Sequence, residues 1–327
     1  MRGCLACLVL ALTSNPAVAD EASPLGMSYV ETKDLRLVYF DPLAYLTPHA
    51  VRTFTGSLAW QRRMFGWAPT EPVTILLKDL ADYGGASATS MPRNKLIFDV
   101  APLSHAFETY PASERLYSLM NHELIHVVQG DLANEDDRRW RRFFQGKVHA
   151  QPEHPETLLY SYLTVPRFVA PRWYIEGSAV FMETWMGGGL GRAQGGYDEM
   201  VFRAMVRDDA PFPDPLGLES GSAPGDFQGG ANAYLYGTRF FTWLAYAYSP
   251  QQVVTWIRRD DDSERHYADQ FRKVFGLPIE RAWQDWIAFE REFQQRNLAE
   301  VRKFPITPQR KLVTTALGSV SRMHFDE

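Results

Sequence analysis

Hydrophobic residues recur at helical spacing in the segment that runs from residue 114 to residue 130. The apolar positions at this spacing are Leu116, Leu119, Met120, Leu124, Val127 and Val128. This period predicts a helix with a buried stripe, which would fix the orientation of its polar face. Ser113 is the predicted N-cap, with the acidic Glu114 in the first turn, and Gly130 is the predicted C-terminal stop.

The polar face of this predicted helix carries the pentapeptide His122-Glu123-Leu124-Ile125-His126. Histidines four residues apart project from one helix face, one turn apart, and can bind the same metal ion. Glu123 would then point toward the open side of that ion, where a carboxylate can act as a general base. Because the pattern is short, a surface helix with two solvated histidines is the alternative, and other residues must decide.

A catalytic zinc site needs a third protein ligand, and the segment Trp173-Tyr174-Ile175-Glu176-Gly177-Ser178-Ala179 offers one. This segment matches the pattern W-x-x-E-G-x-A, in which the glutamate completes a zinc site. With H-E-x-x-H, the chain resembles the gluzincin zinc metallopeptidases, and more specifically the peptidase MA-like family, related to alanyl aminopeptidases and thermolysin. The resemblance implies a zincin-like fold and one Zn²⁺ ion bound by His122, His126 and Glu176.

The aminopeptidase branch of this family implies further site residues. A second glutamate follows the third ligand there by seven residues, and Glu183 occupies that position. We expect Glu183 to support Glu176 or to contact substrate, with an exposed helix carboxylate as the alternative. In the same branch a tyrosine three residues before a glycine stabilises an oxyanion, and Tyr234 precedes Gly237 by three residues. Tyr236 is the alternative, and a core aromatic role stays open.

Other positions separate this chain from related zinc enzymes. A metzincin needs a glycine and a third histidine where this chain has Gln129 and Leu132, so that site is excluded. Thermolysin has an aspartate where Val180 stands, so its supporting hydrogen bonds are not expected here. The mixed charges between Asp131 and Val169 predict a solvated insertion near the cleft. The glycine-rich run from Gly187 to Gly191 is expected to be a linker, or a flexible lid.

The remaining apolar patterns predict the fold class. Three strands are predicted ahead of the His122 helix, at Arg36 to Phe40, Val73 to Leu77 and Lys95 to Val100. Helices are predicted at His49 to Phe65, Tyr234 to Tyr248, Pro250 to Arg259 and Ile279 to Leu298. We therefore expect an α+β, zincin-like metallopeptidase with a small N-terminal mixed sheet and helices, the active-site helix, and an α-helical C-terminal lobe.

The two ends of the chain indicate its location and its domain limits. A positive start, an apolar run and the small residues Ala17-Val18-Ala19 predict a signal peptide over residues 1–19. The protein is therefore expected to be exported, to the periplasm or the outside of a bacterium, and both cysteines lie inside the removed segment. Residues 20–303 form the predicted metallopeptidase domain, with an α+β lobe to about residue 130 and an α-helical lobe after it.

The tail and the composition bear on partners. Residues 304–327 resemble the truncated start of a TolB-like β-propeller, which often follows the peptidase in MA-like proteins, so a propeller or partner protein is expected there. A net charge of -5 gives no reason to expect nucleic acid. After the predicted signal peptide, no apolar stretch is long enough for a transmembrane segment.

The expected activity is that of a secreted zinc-dependent metallopeptidase. It would hydrolyse peptide bonds of a peptide or protein substrate with a zinc-activated water and Glu123 as the general base. The alternatives are a zinc-containing non-catalytic scaffold or binding module, and a zinc hydrolase of non-peptide substrates. Lys95 to Val100 is the predicted edge strand that would hold an extended substrate. Gly84-Gly85-Ala86-Ser87 only poorly matches the amine-binding signature G-A-M-E-N, so endopeptidase and aminopeptidase activity both stay open.

Overall fold

The computed structural model describes residues 26–82, 84–101, 114–219, 231–308 and 310. Within these residues the protein has a mixed α+β fold, with eleven α-helices and one five-stranded sheet. The predicted fold class is confirmed at this level. The predicted signal peptide, the cap residue Ser113 and the predicted strands of the tail lie outside the described residues, and residues 304–308 form no strand.

The sheet lies in the N-terminal part of the chain and mixes parallel and antiparallel strands. Its members in chain order are β1 (Met27–Glu31), β2 (Leu35–Phe40), β3 (Val73–Lys78), β4 (Gly85–Thr89) and β5 (Lys95–Asp99). The spatial order is β1-β2-β3-β5-β4, with β2, β3 and β5 parallel and the two outer strands antiparallel to their neighbours. All three predicted strands are confirmed, and the two outer strands were not predicted.

One prediction about the sheet is wrong: β5 is not its edge. β4 pairs antiparallel with β5, with Thr89 opposite Lys95 and Gly85 opposite Asp99, so β4 covers the side on which a peptide was expected to bind. The sequence of β4, Gly-Ala-Ser-Ala-Thr, holds no large apolar side chain and only half-buried or exposed positions. Such a strand carries no alternating hydrophobic signal, which is why the pattern did not reveal it.

The helices occupy most of the rest of the described chain. They are α1 (Thr47–Phe65), α2 (Arg115–Asp131), α3 (Glu135–Phe143), α4 (Glu156–Thr164), α5 (Arg172–Met186), α6 (Gly196–Arg207), α7 (Pro215–Glu219), α8 (Ala231–Ala247), α9 (Pro250–Ile257), α10 (Tyr267–Phe275) and α11 (Ile279–Val301). The predicted helices at α1, α8, α9 and α11 are confirmed. Among the helices described, none combines the length and apolar character that crossing a bilayer requires.

Helix α2 runs through the middle of the protein, buried from Ser118 to Asp131 between the sheet, α1 and α5. Its N-cap is Glu114, one residue after the predicted cap, Ser113, so that prediction is wrong. The Glu114 carboxylate accepts hydrogen bonds from the backbone N–H groups of Leu116 and Tyr117 at 3.1 and 2.6 Å. Gly130 does not end the helix, contrary to prediction. A Cβ there would lie 1.6 Å from Ser90 Oγ, so the glycine lets α2 approach the end of β4 closely.

Helices α5 and α8 cross in backbone contact at a pair of glycines. A Cβ added to Gly177 would lie 2.5 Å from the carbonyl carbon of Gly237, and one added to Gly237 would lie 2.1 Å from the Trp173 oxygen. No side chain fits between two backbones at this distance. The glycine of the W-x-x-E-G-x-A segment therefore sets how closely the helix of Glu176 approaches the helix of Tyr234.

We expect Gly177→Ala to lower the free energy of unfolding by about 2–4 kcal/mol, because the helices must separate to accommodate the methyl group. Gly56→Ala is the matched control. Gly56 lies inside α1 with nothing within 4 Å of an added Cβ, so the same change there should stabilise the protein by about 0.5–1 kcal/mol. Urea unfolding of both variants measures the difference, and equal effects would contradict the tight crossing.

The inserted segment between α2 and α5 is held by buried ion pairs, although its outer face is solvated as predicted. The Asp137 carboxylate accepts two hydrogen bonds from Arg259, at 2.6 and 2.9 Å, and both side chains are buried. Lys147 Nζ, also buried, lies 2.9 Å from Asp131 Oδ1 at the end of α2. The insertion is therefore fixed both to the end of α2 and to the segment that follows α9.

Candidate metal centre

Three atoms from two helices meet at the centre of the molecule. His122 and His126 extend from one face of α2, and their Nε2 atoms are 3.3 Å apart. Glu176 extends from α5, and its Oε2 atom lies 3.4 Å from His122 Nε2 and 3.3 Å from His126 Nε2. The structure thus brings together the three residues that the sequence nominated as ligands, on two helices that pack directly against each other.

The geometry of these three atoms fits a small cation. Edges of 3.3–3.4 Å are those of three corners of a tetrahedron whose centre is about 2.0 Å from each atom, the length of zinc–nitrogen and zinc–oxygen bonds. Within the described residues, the buried Glu176 Oε2 atom accepts no hydrogen bond. Its negative charge and the two imidazole nitrogens therefore converge on a point where a positive charge would satisfy all three.

The hydrogen bonds of His122 orient its ring toward this point. Its Nδ1 atom lies 2.7 Å from both Glu183 Oε2 and Arg192 Nη2. We assign the proton to Nδ1, because a carboxylate accepts from an N–H group, and this leaves the Nε2 lone pair facing the other two ligand atoms. Glu183 is almost fully buried. Glu183 thus supports a candidate ligand, as predicted, but the residue it supports is His122 in place of Glu176.

Arg192 completes this arrangement from the short 3-10 helix Arg192–Gln194. Its guanidinium donates to both Glu183 oxygens, at 2.9 and 2.7 Å, and it is buried like its partner. Burial alone would raise the pKa of the Glu183 carboxyl, but the Arg192 charge outweighs it and holds that pKa well below its usual range. Glu183 is therefore a permanent anion that accepts the His122 Nδ1 proton.

His126 is oriented by a neutral chain of hydrogen bonds. Its Nδ1 atom lies 3.3 Å from Gln129 Oε1, and the Gln129 amide donates to Ser178 Oγ at 2.6 Å. Ser178 in turn donates to the carbonyl oxygen of Ile175 at 2.9 Å. Because Ser178 follows Glu176 by two residues on α5, this chain links the orientation of one candidate ligand to the helix that carries another.

The electrostatics of the centre favour a bound positive charge. Although burial opposes a charged imidazole, the carboxylates of Glu176 and Glu183 raise the pKa of His122 to about 9. Burial also acts against ionised Glu176, yet its contacts with the two histidines lower its pKa far below the usual range. Both shifts have the same cause, the attraction between these carboxylates and a positive charge at the centre, which a metal ion would also supply.

Glu123 is buried, and its carboxyl is close enough to His122, His126 and Glu176 to interact with their charges. Burial raises the pKa of its carboxyl, and the nearby Glu176 charge acts in the same direction. A carboxylate with a raised pKa accepts a proton more readily than one in water, as a general base requires. Its placement next to a candidate ligand is the one that the H-E-x-x-H spacing predicts.

Tyr234 lies beside the centre, on α8. Its ring stacks on the His122 ring with centroids 6.1 Å apart, and it is half-buried. Burial raises the pKa of its phenol, and the Glu176 charge raises it further. Tyr234 therefore keeps its proton at neutral pH and can donate a hydrogen bond to an oxyanion that forms nearby.

Tyr236, the alternative to Tyr234, does not reach the centre. Its hydroxyl lies 3.3 Å from Met205 Sδ, and its ring packs edge-on against Phe202, Phe212 and Trp286 in the core of the helical lobe. Residues two apart on a helix point to nearly opposite sides. Once Tyr234 faces the ligands, Tyr236 must face away, so its predicted role at the site is wrong.

Sequence reasoning missed Arg192, Gln129 and a second arginine, Arg172. Arg192 follows a glycine run that was interpreted as a linker or lid. Gly191 in fact packs against α5, since a Cβ there would lie 2.3 Å from Thr184 Oγ1. Gln129 counts against a metzincin, but a polar side chain one turn after a candidate ligand histidine also indicates a supporting hydrogen bond.

Comparison with known proteins adds no family to this description. No protein-family model matches the chain, and no curated protein matches it. The functional argument therefore depends on the geometry of the centre and on the two motifs that the chain shares with gluzincins.

Proposed function

We propose that this protein is a zinc metallopeptidase of the gluzincin type. The observation that carries the proposal is the triangle formed by His122 Nε2, His126 Nε2 and Glu176 Oε2, with edges of 3.3–3.4 Å. Two histidines and one glutamate form the donor set of catalytic zinc sites, which keep one position for water or substrate. The buried Glu123 and Tyr234 beside this triangle add a base and a hydrogen-bond donor.

Each residue then has one task. Zinc bound in this set supplies Lewis-acid polarisation of a carbonyl group and activation of a water molecule. Glu123 takes a proton from the attacking water and later delivers it to the leaving amine. Tyr234 donates a hydrogen bond to the oxyanion that develops on the scissile carbonyl. Glu183 holds His122 in place and is itself held by Arg192, so the ligands are oriented before the substrate arrives.

The arrangement of the sheet supports a zincin-like fold and a peptide substrate. Zincins commonly hold an extended peptide against an edge strand that comes just before the active-site helix. In this protein β4 occupies that position and α2 packs against it. We therefore propose that substrate binds to β4 by strand addition, in place of β5. We also propose that the protein is exported, because the sequence predicts a signal peptide over residues 1–19.

A non-catalytic zinc scaffold is the alternative from another class. A structural zinc site is closed by four protein ligands, whereas the described residues around this centre offer three. A scaffold would also have no use for a carboxylate buried next to the ligands, because burial of an ionisable group without catalysis only lowers stability. We therefore favour an enzyme over a scaffold.

The test uses the purified full chain. We expect about one zinc ion per molecule by elemental analysis and cleavage of an unbiased peptide mixture, followed by mass spectrometry. A chelator should abolish cleavage, and added zinc should restore it. Protein that binds no metal would overturn the proposal. Bound zinc without cleavage of any peptide would favour the scaffold, or a hydrolase acting on non-peptide substrates.

A further inference from the structure

Arg172 lies beside the three candidate ligand atoms, and its side chain reaches solvent. It is the first residue of α5, one turn before Glu176, and its Nε atom lies 3.8 Å from Glu176 Oε1. Its guanidinium also lies over the Tyr234 ring, 5.5 Å from the ring centre. The side chain is 53% exposed. A cation is therefore held beside both a candidate ligand and the candidate oxyanion donor, within reach of solvent.

Arg172 differs from the other arginine at the site. Arg192 lies 5.3 Å from the same Tyr234 ring centre, but it is buried and committed to the Glu183 carboxylate by charge-assisted hydrogen bonds. Among the residues that the structure describes, the carboxylate paired with Arg172 is that of Glu176, at a distance beyond a hydrogen bond. A metal bound by Glu176 would neutralise that carboxylate, leaving the Arg172 charge available to another anion.

The position of Arg172 is not explained by helix stability. The N-terminus of a helix carries a partial positive charge, so a cation in the first turn is unfavourable. Arg281 and Asp285 on α11 are also one turn apart, and their side chains form an exposed ion pair with atoms 3.0 Å apart. The atoms of Arg172 and Glu176 are 3.8 Å apart, so this second pair is looser.

We propose that Arg172 binds a carboxylate of the substrate, so that this enzyme prefers peptides with an acidic group next to the bond that it cleaves. A guanidinium fork matches a carboxylate with two parallel hydrogen bonds, and stacking on an aromatic ring orients it in advance. Since Arg172 lies within 4 Å of Glu176, the carboxylate belongs within one or two residues of the scissile bond, at about 3.3–3.6 Å per extended residue.

The carboxylate has two sources, a Glu or Asp side chain and the free C-terminus of the substrate. This inference rests on the proposed peptidase function. The experiment therefore uses one parent peptide, found in the unbiased digest, in four forms. Two carry an acidic residue or its amide counterpart beside the scissile bond, and two place the bond near a free or an amidated C-terminus. Wild type, Arg172→Lys, Arg172→Gln and the control Arg281→Gln are compared, after their metal contents are matched.

We expect wild type to cleave the acidic form with a KM roughly tenfold or more below that of the neutral form, a difference typical of a charge-assisted hydrogen bond. Arg172→Gln should abolish this preference and Arg172→Lys should keep part of it. Arg281→Gln should behave as wild type. Equal KM for acidic and neutral forms in wild type would overturn the inference and leave the peptidase proposal intact.

Measuring the affinity of the protein for uncleaved peptides tests the role of Arg172 independently of catalysis. Calorimetry with zinc-loaded Glu123→Gln and the acidic and neutral peptides should show tighter binding of the acidic form, and the added Arg172→Gln change should remove the difference. If Arg172→Gln instead lowers kcat equally on both forms, Arg172 acts on the oxyanion and the carboxylate proposal is wrong. Whether the side-chain or the C-terminal form binds more tightly identifies the source of the carboxylate.

Discussion

Replacing Glu123 by glutamine should lower kcat by about a thousandfold while the protein still binds one zinc ion. Glutamine has the same shape as glutamate but cannot take a proton, so the attacking water loses its base and the leaving amine loses its acid. Because Glu123 supplies none of the three converging ligand atoms, the metal content should not change. Steady-state kinetics and elemental analysis on the same preparation measure both quantities.

Glu123→Asp is the informative companion variant. Aspartate keeps the carboxylate but is shorter by one methylene, so it should retain more activity than glutamine and less than wild type. Glu292→Gln, at an exposed residue of α11, controls for the loss of one negative charge. Full activity of Glu123→Gln would mean that the cleavage comes from a contaminant or that another group is the base, and either result removes Glu123 from the mechanism.

The fold was predictable where hydrophobic period was strong. The strands β2, β3 and β5 and the helices α1, α8, α9 and α11 follow apolar patterns whose period matches their structure. β4 escaped because its small residues carry no pattern, and its position is set by pairing with β5. Because β4 was missed, the sequence predicted β5 as the edge strand that binds substrate, whereas the edge is β4.

Some residues of the candidate site were also predictable from the sequence, and others were not. His122, His126 and Glu176 were predictable because each lies in a short motif that is visible locally in the sequence. Arg192 was not, because nothing in the sequence shows that the Gly191 backbone packs against α5 and turns the following side chain inward. Tyr234 and Tyr236 could be told apart only by the crossing of α5 and α8, which decides which face of α8 meets the ligands.

The second prediction concerns the buried ion pair of Arg192 and Glu183. Changing either residue alone to glutamine leaves its partner as a buried charge without a counter-charge, and we expect a loss of about 3–5 kcal/mol in the free energy of unfolding. Zinc affinity should fall about 10–100-fold in Glu183→Gln, because the partner that orients His122 is weakened. Chemical unfolding of the metal-free protein and zinc competition with a chelating dye measure the two effects separately.

The double variant distinguishes positioning from simple stability. With both charges removed, stability should recover in part, since no buried charge is left unpaired, whereas zinc affinity should stay low. The buried pair Asp137 and Arg259 is the matched control, with hydrogen bonds of 2.6 and 2.9 Å. Asp137→Asn should cost similar stability and leave zinc affinity unchanged. If it weakens zinc binding as much as Glu183→Gln does, the effect at Glu183 reflects general loosening, and Arg192 has no specific role in holding His122.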